Sequence, residues 1–291
     1  MTQVAGKTVL ITGAGMGMGQ RHAQVAAERG ARRIILWDIN QDAAEQTAEP
    51  LRRSGTRADT FRVDVSSVDQ IDDAADRVQS EIGPVEILFN NAGIVTPGAF
   101  MNHSARDIDR TIQVNTLGIM HVARAFLPAM VRTPSAHLVN ISSASALMPL
   151  PYGSVYAASK WAAYCWSESL RIELEDSHPH VKVTTVCPAF VATGMFEGAS
   201  APRSTRFLTT DEIVSAIWKG LEKNRPIVMA PAMTRIVLPL RAFLPLSIFD
   251  FLGRNIFKSY SAMKTLKGRG PAPSSPPHVP SPSRASESVH R

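Results

Sequence analysis

Residues 7–19 read KTVLITGAGMGMG, an apolar run that passes directly into a loop with glycine at positions 13, 15, 17 and 19. The run has strand character. The glycines permit a tight turn and close backbone approach before a helix opens near Met18. A helix starting there turns its unpaired N–H groups and the positive end of its dipole toward an anion such as a pyrophosphate. A glycine-rich connection with no ligand has the same composition. What favours the anion site is its placement after the first strand and before a helix. The spacing is Thr-Gly-x-x-x-Gly-x-Gly (residues 12–19), not the commoner Gly-x-Gly-x-x-Gly.

Outward from this loop the chain repeats the same alternation. Short, nearly continuous apolar runs follow at RRIILWD (32–38), DTFRVD (59–64), VEILFN (85–90), AHLVNIS (136–142), VKVTTVCP (181–188) and PIVMAP (226–231). Continuous rather than alternating apolarity is the mark of strands covered on both faces. Amphipathic stretches such as GQRHAQVAAERG (19–30) and SVDQIDDAADRVQSEIG (67–83) lie between them. Strand and helix in turn predict an α/β fold, a doubly wound parallel sheet of Rossmann type with seven strands. We divide the chain into a dinucleotide-binding and catalytic domain (1–233), an apolar-basic C-terminal segment (234–269) and a Pro/Ser-rich tail (270–291) whose composition predicts disorder.

The chain has 291 residues, 44% of them hydrophobic and 19% charged, as expected of a folded protein with a sizeable core. Two cysteines, Cys165 and Cys187, make no disulfide framework, and the N-terminal stretch reaches glycine too early for a signal peptide or a membrane span. The expected location is therefore the cytoplasm, at most peripheral to a membrane. A net charge of +6 invites a nucleic-acid reading. The charge distribution argues against it. The body before residue 219 holds slightly more acids than bases, whereas residues 219–269 hold ten Lys and Arg against only Glu222 and Asp250. The eight histidines, among them His22 and His137, are scattered without ligand spacing, so no metal site is expected and each is read as a surface or core-edge residue.

Asp38 closes the second apolar run, about 20 residues past the glycines, where a ribose-binding acid belongs. A carboxylate there accepts from both ribose hydroxyls and repels a 2′-phosphate, which points to NAD over NADP. Met16 in the loop and Ile39 after the acid are both apolar and offer no cation for such a phosphate. Further on, SVYAASKWA (154–162) sets Tyr156 and Lys160 one helical turn apart, on a shared face. A cation beside a phenol lowers the phenol pKa toward working pH and makes Tyr156 a usable general acid or base. On its own the pair is also what an amphipathic helix with one inward aromatic and one solvated lysine shows.

Taken together, Thr12 to Gly19, Asn90-Asn-Ala-Gly93, Asn115, Ser143 and Tyr156-x-x-x-Lys160 resemble the short-chain dehydrogenase/reductase family over residues 5–230. LWDIN (36–40), AFLPAM (125–130) and CPAFVATG (187–194) resemble its branch of epidermal retinol dehydrogenases and 17β-hydroxysteroid dehydrogenase type 11. The resemblance implies that Tyr156 exchanges a proton with the substrate oxygen and that Lys160 lowers its pKa and holds the nicotinamide ribose. It implies that Ser143, rather than Ser142, bonds the substrate oxygen, and that Asn115 supports the lysine and a water in a proton relay. Gly13, Gly17, Met18, Gly19, Asp38 and Ile39 would hold the adenosine and pyrophosphate side of NAD. Asp64 and Val65 would meet adenine, Asn91, Ala92 and Gly93 would floor the cofactor, and Pro188, Val191 and Thr193 would bind its carboxamide end. Ala189 departs from the family pattern, which commonly has glycine after the proline. The implied activity is hydride transfer between NAD(H) and a bulky apolar alcohol or ketone (a retinoid, steroid or long-chain alcohol) in a homo-oligomer. The alternatives are an NADP-dependent carbonyl reductase of a smaller substrate and a non-catalytic dinucleotide sensor.

Residues 234–267, TRIVLPLRAFLPLSIFDFLGRNIFKSYSAMKTLK, are apolar but interrupted by prolines and cations. They are too broken to span a bilayer. Two readings stay open: a weak contact with a membrane surface that also walls an apolar pocket, or plain packing on the domain or on another subunit.

Overall fold

A computed structural model describes residues 1–203 and 206–267, so the expectation for the tail beyond 269 lies outside the described residues. Seven parallel strands form one sheet in the order β3-β2-β1-β4-β5-β6-β7. They are β1 Thr8–Thr12, β2 Arg33–Asp38, β3 Arg57–Arg62, β4 Ile87–Asn90, β5 Ala136–Ile141, β6 Val181–Pro188 and β7 Ile227–Ala230. The expected doubly wound sheet is the one observed. Helices α1 Gly17–Glu28, α2 Gln41–Arg53, α3 Val68–Glu81, α4 Ala105–Ile112, α5 Ile119–Met130, α6 Ser154–Ser177 and α7 Thr210–Glu222 cover it.

Both faces are buried because successive strand residues feed opposite layers. Val9 and Ile11 of β1 join a core with Phe89, Val214 and Trp218. Leu10 between them joins a second core with Trp37, Val78 and Phe126. The side chains of Asn40, Ser67, Ser104 and Thr209 cap the N-termini of α2, α3, α4 and α7. At α1 the capping residue is Met16, which supplies no side-chain cap. That helix opens at Gly17, one residue ahead of the expected Met18.

The strand order reverses between β1 and β4, and in open α/β sheets ligands bind outside the carboxyl ends of strands at such a switch point. Between α4 and α5 the helix widens into a π-turn, Gln113–Gly118, which carries Asn115. A Cβ on Gly118 would lie 2.7 Å from the Val65 carbonyl oxygen, so glycine there lets the wide turn sit against the end of the sheet.

After β7 the chain forms a short turn (Ala232–Ile236) and helices α8 Val237–Phe243 and α9 Leu246–Phe251. Backbone bonds stitch the chain beyond α9 to the loop after β6: Ser200 N to Ala262 O, Arg203 N to Phe257 O and Lys267 N to Glu197 O, each 2.9 Å. No helix among the described residues is long and apolar enough to cross a membrane.

Two histidines differ from expectation. His22 and His137 are fully buried. His22 sits on the inner face of α1, 4.6 Å from the Phe89 ring and 6.1 Å from Trp218, where stacking replaces solvent. His137, on β5, is held by Thr2 Oγ1 at 2.9 Å and Thr184 Oγ1 at 2.8 Å.

Candidate active site

The glycine loop is built for close approach. Gly13 has φ +63°, and a Cβ on it would lie 2.9 Å from the Ala92 Cα. On Gly19 a Cβ would collide with the Gly13 carbonyl and lie 2.8 Å from Asn91 Nδ2. On Gly17, at φ +57°, a Cβ would lie 3.3 Å from the Thr193 Cβ. Thr12 Oγ1 ties the ends of β1 and β4 together by accepting from Asn91 N and Ala92 N, each at 3.0 Å. Asn91 Nδ2 donates to Thr12 O (2.9 Å) and Gly13 O (3.1 Å), while its Oδ1 is buried without a partner. Pro188 ends β6, and Val191 forms a single bridge to Leu208, which brings Thr193 alongside Gly17.

Asp38 does end β2, and its carboxylate turns back on the loop. Oδ2 accepts from Gly15 N at 2.8 Å and Oδ1 from Asn40 N at 2.9 Å. Met16 and Ile39 flank it and are exposed. The sheet also sets exposed Arg62 of β3 in register with Asp38, a neighbour that spacing along the chain did not reveal. Asp64 Oδ1 accepts from Ser66 N and Oγ, and Val65 is buried against the π-turn. A row of small residues, an uncapped helix start, an unpartnered amide oxygen and a carboxylate at the strand end together fit a dinucleotide.

The candidate reacting groups, Asn115 on the π-turn, Ser143 after β5, and Tyr156 and Lys160 on α6, gather near the carboxyl end of β5. Asn115 Oδ1 accepts from Ile94 N (2.8 Å), and its Nδ2 donates to Ile94 O (2.8 Å) and Ser159 Oγ (3.0 Å). A Cβ on Gly93 would lie 3.3 Å from Asn115 Oδ1 and 3.4 Å from Lys160 Nζ, so the three residues are neighbours. Lys160 Nζ donates to Ile141 O at 2.8 Å, and burial pulls the ammonium down to about 8. Ser142 Oγ donates to Lys160 O (2.8 Å) and is committed. Ser143 Oγ accepts from Ser145 N (3.1 Å), which leaves its own proton to donate, and Ser143, unlike Ser142, lines the adjoining cavity.

One expectation needs correcting. Tyr156 is buried, and burial pushes its phenol up to about 12, with a hydrogen bond from Ser143 opposing. From the protein's own groups the phenol is raised and not lowered: desolvation of the phenolate outweighs the Ser143 hydrogen bond. Lys160 Nζ lies 5.9 Å from the ring centroid and is turned to a backbone carbonyl.

Beside Ser143 opens a cavity of about 170 Å³, lined by Ala144, Ser145, Met148, Leu150, Ala189 and Phe190 from the domain. Its far wall, including Leu240, Phe249, Leu252, Phe257 and Tyr260, comes from the C-terminal segment. Phe196 stands edge-on to Tyr156, with centroids 6.0 Å apart, and packs on Phe190 at 5.3 Å. The structure thus brings the expected residues together. Sequence reading missed Thr12 as a tie and Ser159 behind Asn115. It offered residues 234–267 as a pocket wall without saying which side chains face the cavity.

The family profile described as short chain dehydrogenase matches residues 7–204. Human epidermal retinol dehydrogenase 2 is 36% identical over 258 residues, covering 86% of this chain and 83% of that protein. Rat 17-beta-hydroxysteroid dehydrogenase 13 is 34% identical over 252 residues, covering 86% and 83%. Among solved structures, a short chain dehydrogenase/reductase from Burkholderia phymatum in complex with NAD superposes with a TM-score of 0.77 at 29% identity, covering 83% of this chain and 95% of that one. A short chain dehydrogenase from Burkholderia cenocepacia in complex with NADP gives 0.73 at 26% identity, covering 88% and 99%. The fold, the glycine loop and the Ser143–Tyr156–Lys160 cluster agree with these likenesses: the chain belongs to the short-chain dehydrogenase/reductase family, an oxidoreductase related to retinol and hydroxysteroid dehydrogenases that uses a nicotinamide dinucleotide.

Proposed function

We propose that the protein is an NAD-dependent dehydrogenase/reductase of bulky apolar alcohols and ketones, of the retinoid, steroid or long-chain alcohol class. The observation that carries this reading is the apolar cavity that opens at Ser143 and is closed by aromatic side chains. NAD(H), when bound, supplies or takes the hydride. Gly13, Gly17, Met18 and Gly19 would admit its pyrophosphate, and Asp38 the adenosine ribose. Ile39, Asp64 and Val65 would flank the adenosine, Asn91 to Gly93 would floor the cofactor, and Pro188, Val191 and Thr193 would meet the carboxamide. Ser143 donates to the substrate oxygen and Tyr156 passes the proton to it or takes it away. The Lys160 ammonium supports the phenolate, and Asn115 fixes the Ile94 backbone and Ser159 around that lysine. Phe190 and Phe196 keep water from the phenol.

The preference for NAD rests on Asp38. Arg62 across the ladder favours a second reading, acceptance of NADP. We assign catalysis and cofactor binding to residues 1–233 and the pocket wall to 234–269. This segment also suits a weak peripheral contact with a membrane, reached from the cytoplasm. Phe243 is 86% exposed and Leu246 66%, beside Arg235 and Arg241. Exposed Leu117 and Ile172, next to or on the helices that carry the site, suit a homo-oligomer, which sedimentation would read. Following NADH formation with retinol, hydroxysteroids, long-chain alcohols and ethanol tests the central proposal. Turnover confined to ethanol-sized substrates would refute it.

A further inference from the structure

Part of the cavity's far wall is a short stretch of chain folded back on itself. Leu252, Gly253, Phe257, Ser259 and Tyr260 all line it, and Ser259 Oγ donates across the fold to Gly253 O at 3.3 Å. Within this stretch the Tyr260 ring meets the Gly253 backbone. A Cβ on Gly253 would lie 2.9 Å from Tyr260 Cζ, 3.0 Å from Cε1 and 3.3 Å from Cδ1. These are well inside ordinary carbon–carbon contact, so no side chain fits at position 253 while the ring stays where it is. The backbone itself does not ask for glycine. Gly253 belongs to the helical turn Leu252–Ile256 and is not among the residues with positive φ, and in a helical turn alanine is the better residue. The contact that needs glycine is the one with the ring.

That ring has little freedom. Its hydroxyl donates to Asp250 Oδ1 at 2.8 Å, the Arg254 guanidinium stands 5.6 Å from its centroid, and the residue is buried. Packed surroundings yield little to an inserted methyl, whereas a cavity is empty space. A methyl at position 253 would therefore drive the ring into the cavity. We propose that Gly253 determines specificity: by letting the Tyr260 ring lie back against the turn, it sets how bulky an alcohol or ketone the cavity admits. Gly253 acts through Tyr260 and touches none of the reacting groups. Narrowing the cavity from this wall leaves Ser143 and the residues assigned to NAD(H) in place.

This rests on the proposed reading of the cavity as the substrate site, and the test keeps the two apart. Cyclohexanol and decahydro-2-naphthol differ by one fused ring, and neither is oxidised by protein loaded with NADH. Calorimetry of each alcohol against the NADH-loaded protein gives dissociation constants without turnover. In Gly253→Ala the two-ring alcohol should weaken about tenfold and cyclohexanol change by less than about twofold, with NADH affinity unchanged. Tyr260→Leu removes the atoms that the methyl would strike. Added to Gly253→Ala, it should return the two-ring alcohol to within about twofold of its affinity for Tyr260→Leu alone. Tyr260→Trp, which crowds the same space with Gly253 intact, should discriminate as Gly253→Ala does. Equal weakening of both alcohols, or of neither, overturns the assignment, and so does a defect of Gly253→Ala, in binding or in folding, that Tyr260→Leu does not repair. Wild type that binds neither alcohol would remove the substrate reading of the cavity and this proposal with it. Turnover of the same alcohols with NAD tests the reaction and does not enter the ratio.

Discussion

At the scale of single residues, chemistry and cofactor choice separate cleanly. Tyr156→Phe keeps the ring that packs on Phe196 and removes only the proton carrier. General acid–base catalysis typically contributes ~10²–10⁴-fold, so turnover should fall by that order while NADH affinity, read by fluorescence, stays. A variant within a few-fold of wild type would take the proton transfer away from Tyr156. We assign cofactor choice to Asp38 and exposed Ile39. Wild type should favour NAD in kcat/KM, and Asp38→Ala with Ile39→Arg should shift the ratio toward NADP by removing a repulsion and adding a charge-assisted bond. Wild type favouring NADP would mean that Arg62, not Asp38, rules that corner. These residues were legible because each motif is local: a glycine spacing, an acid at a strand end, a helical i,i+4 pair. The phenol's environment was not. Burial raises the Tyr156 phenol, and burial is a property of Phe190, Phe196 and the packed domain, not of the nine residues around the tyrosine.

At the scale of elements, α1 illustrates a helix with two duties. Its first turn is left without a side-chain cap, and its middle places His22 between two aromatic rings. Burial pushes that imidazole down from 6.5 to about 3, and neither ring nitrogen has a hydrogen-bond partner. Between those two values the unfolded chain binds a proton that the native helix refuses. Stability is therefore full above about 6.5 and drains as pH falls toward 3. His137 on β5 behaves likewise. His22→Phe should flatten the decline of the melting temperature between pH 6.5 and 4, relative to wild type. An unchanged slope would put the acid sensitivity elsewhere. The strands and most helices were readable because apolar period and capping residues are written in order along the chain. The π-turn that seats Asn115 was not, since it depends on Gly118 fitting against Val65 from a distant strand end. The cavity wall was legible only as greasy composition, because which aromatics face Ser143 is set by backbone bonds between residues some sixty positions apart, such as Ser200 with Ala262.

At the scale of the whole molecule, charge and apolar surface coincide on one segment. Phe243, Leu246 and Phe251 are exposed among the cations that give residues 219–269 their excess. Each base near an anionic lipid surface adds roughly 1 kcal/mol, screened by salt. The protein should float with phosphatidylserine-rich vesicles at low salt and release them as salt rises. Phe243→Ser with Phe251→Ser should weaken flotation and leave turnover of a short alcohol unchanged. Protein that stays at the bottom of the gradient at low salt would overturn the membrane reading in favour of packing on the domain or on another subunit. The provenance of the cavity's walls has a different consequence. The groups we assign to the dinucleotide and the proton end by residue 193, whereas the far wall of the cavity is one contiguous stretch after β7. Substrate choice can then diversify by exchanging a single cassette of chain, with the machinery for hydride transfer inherited untouched, and chimeras joined after Ala230 are the natural route to redesigning it.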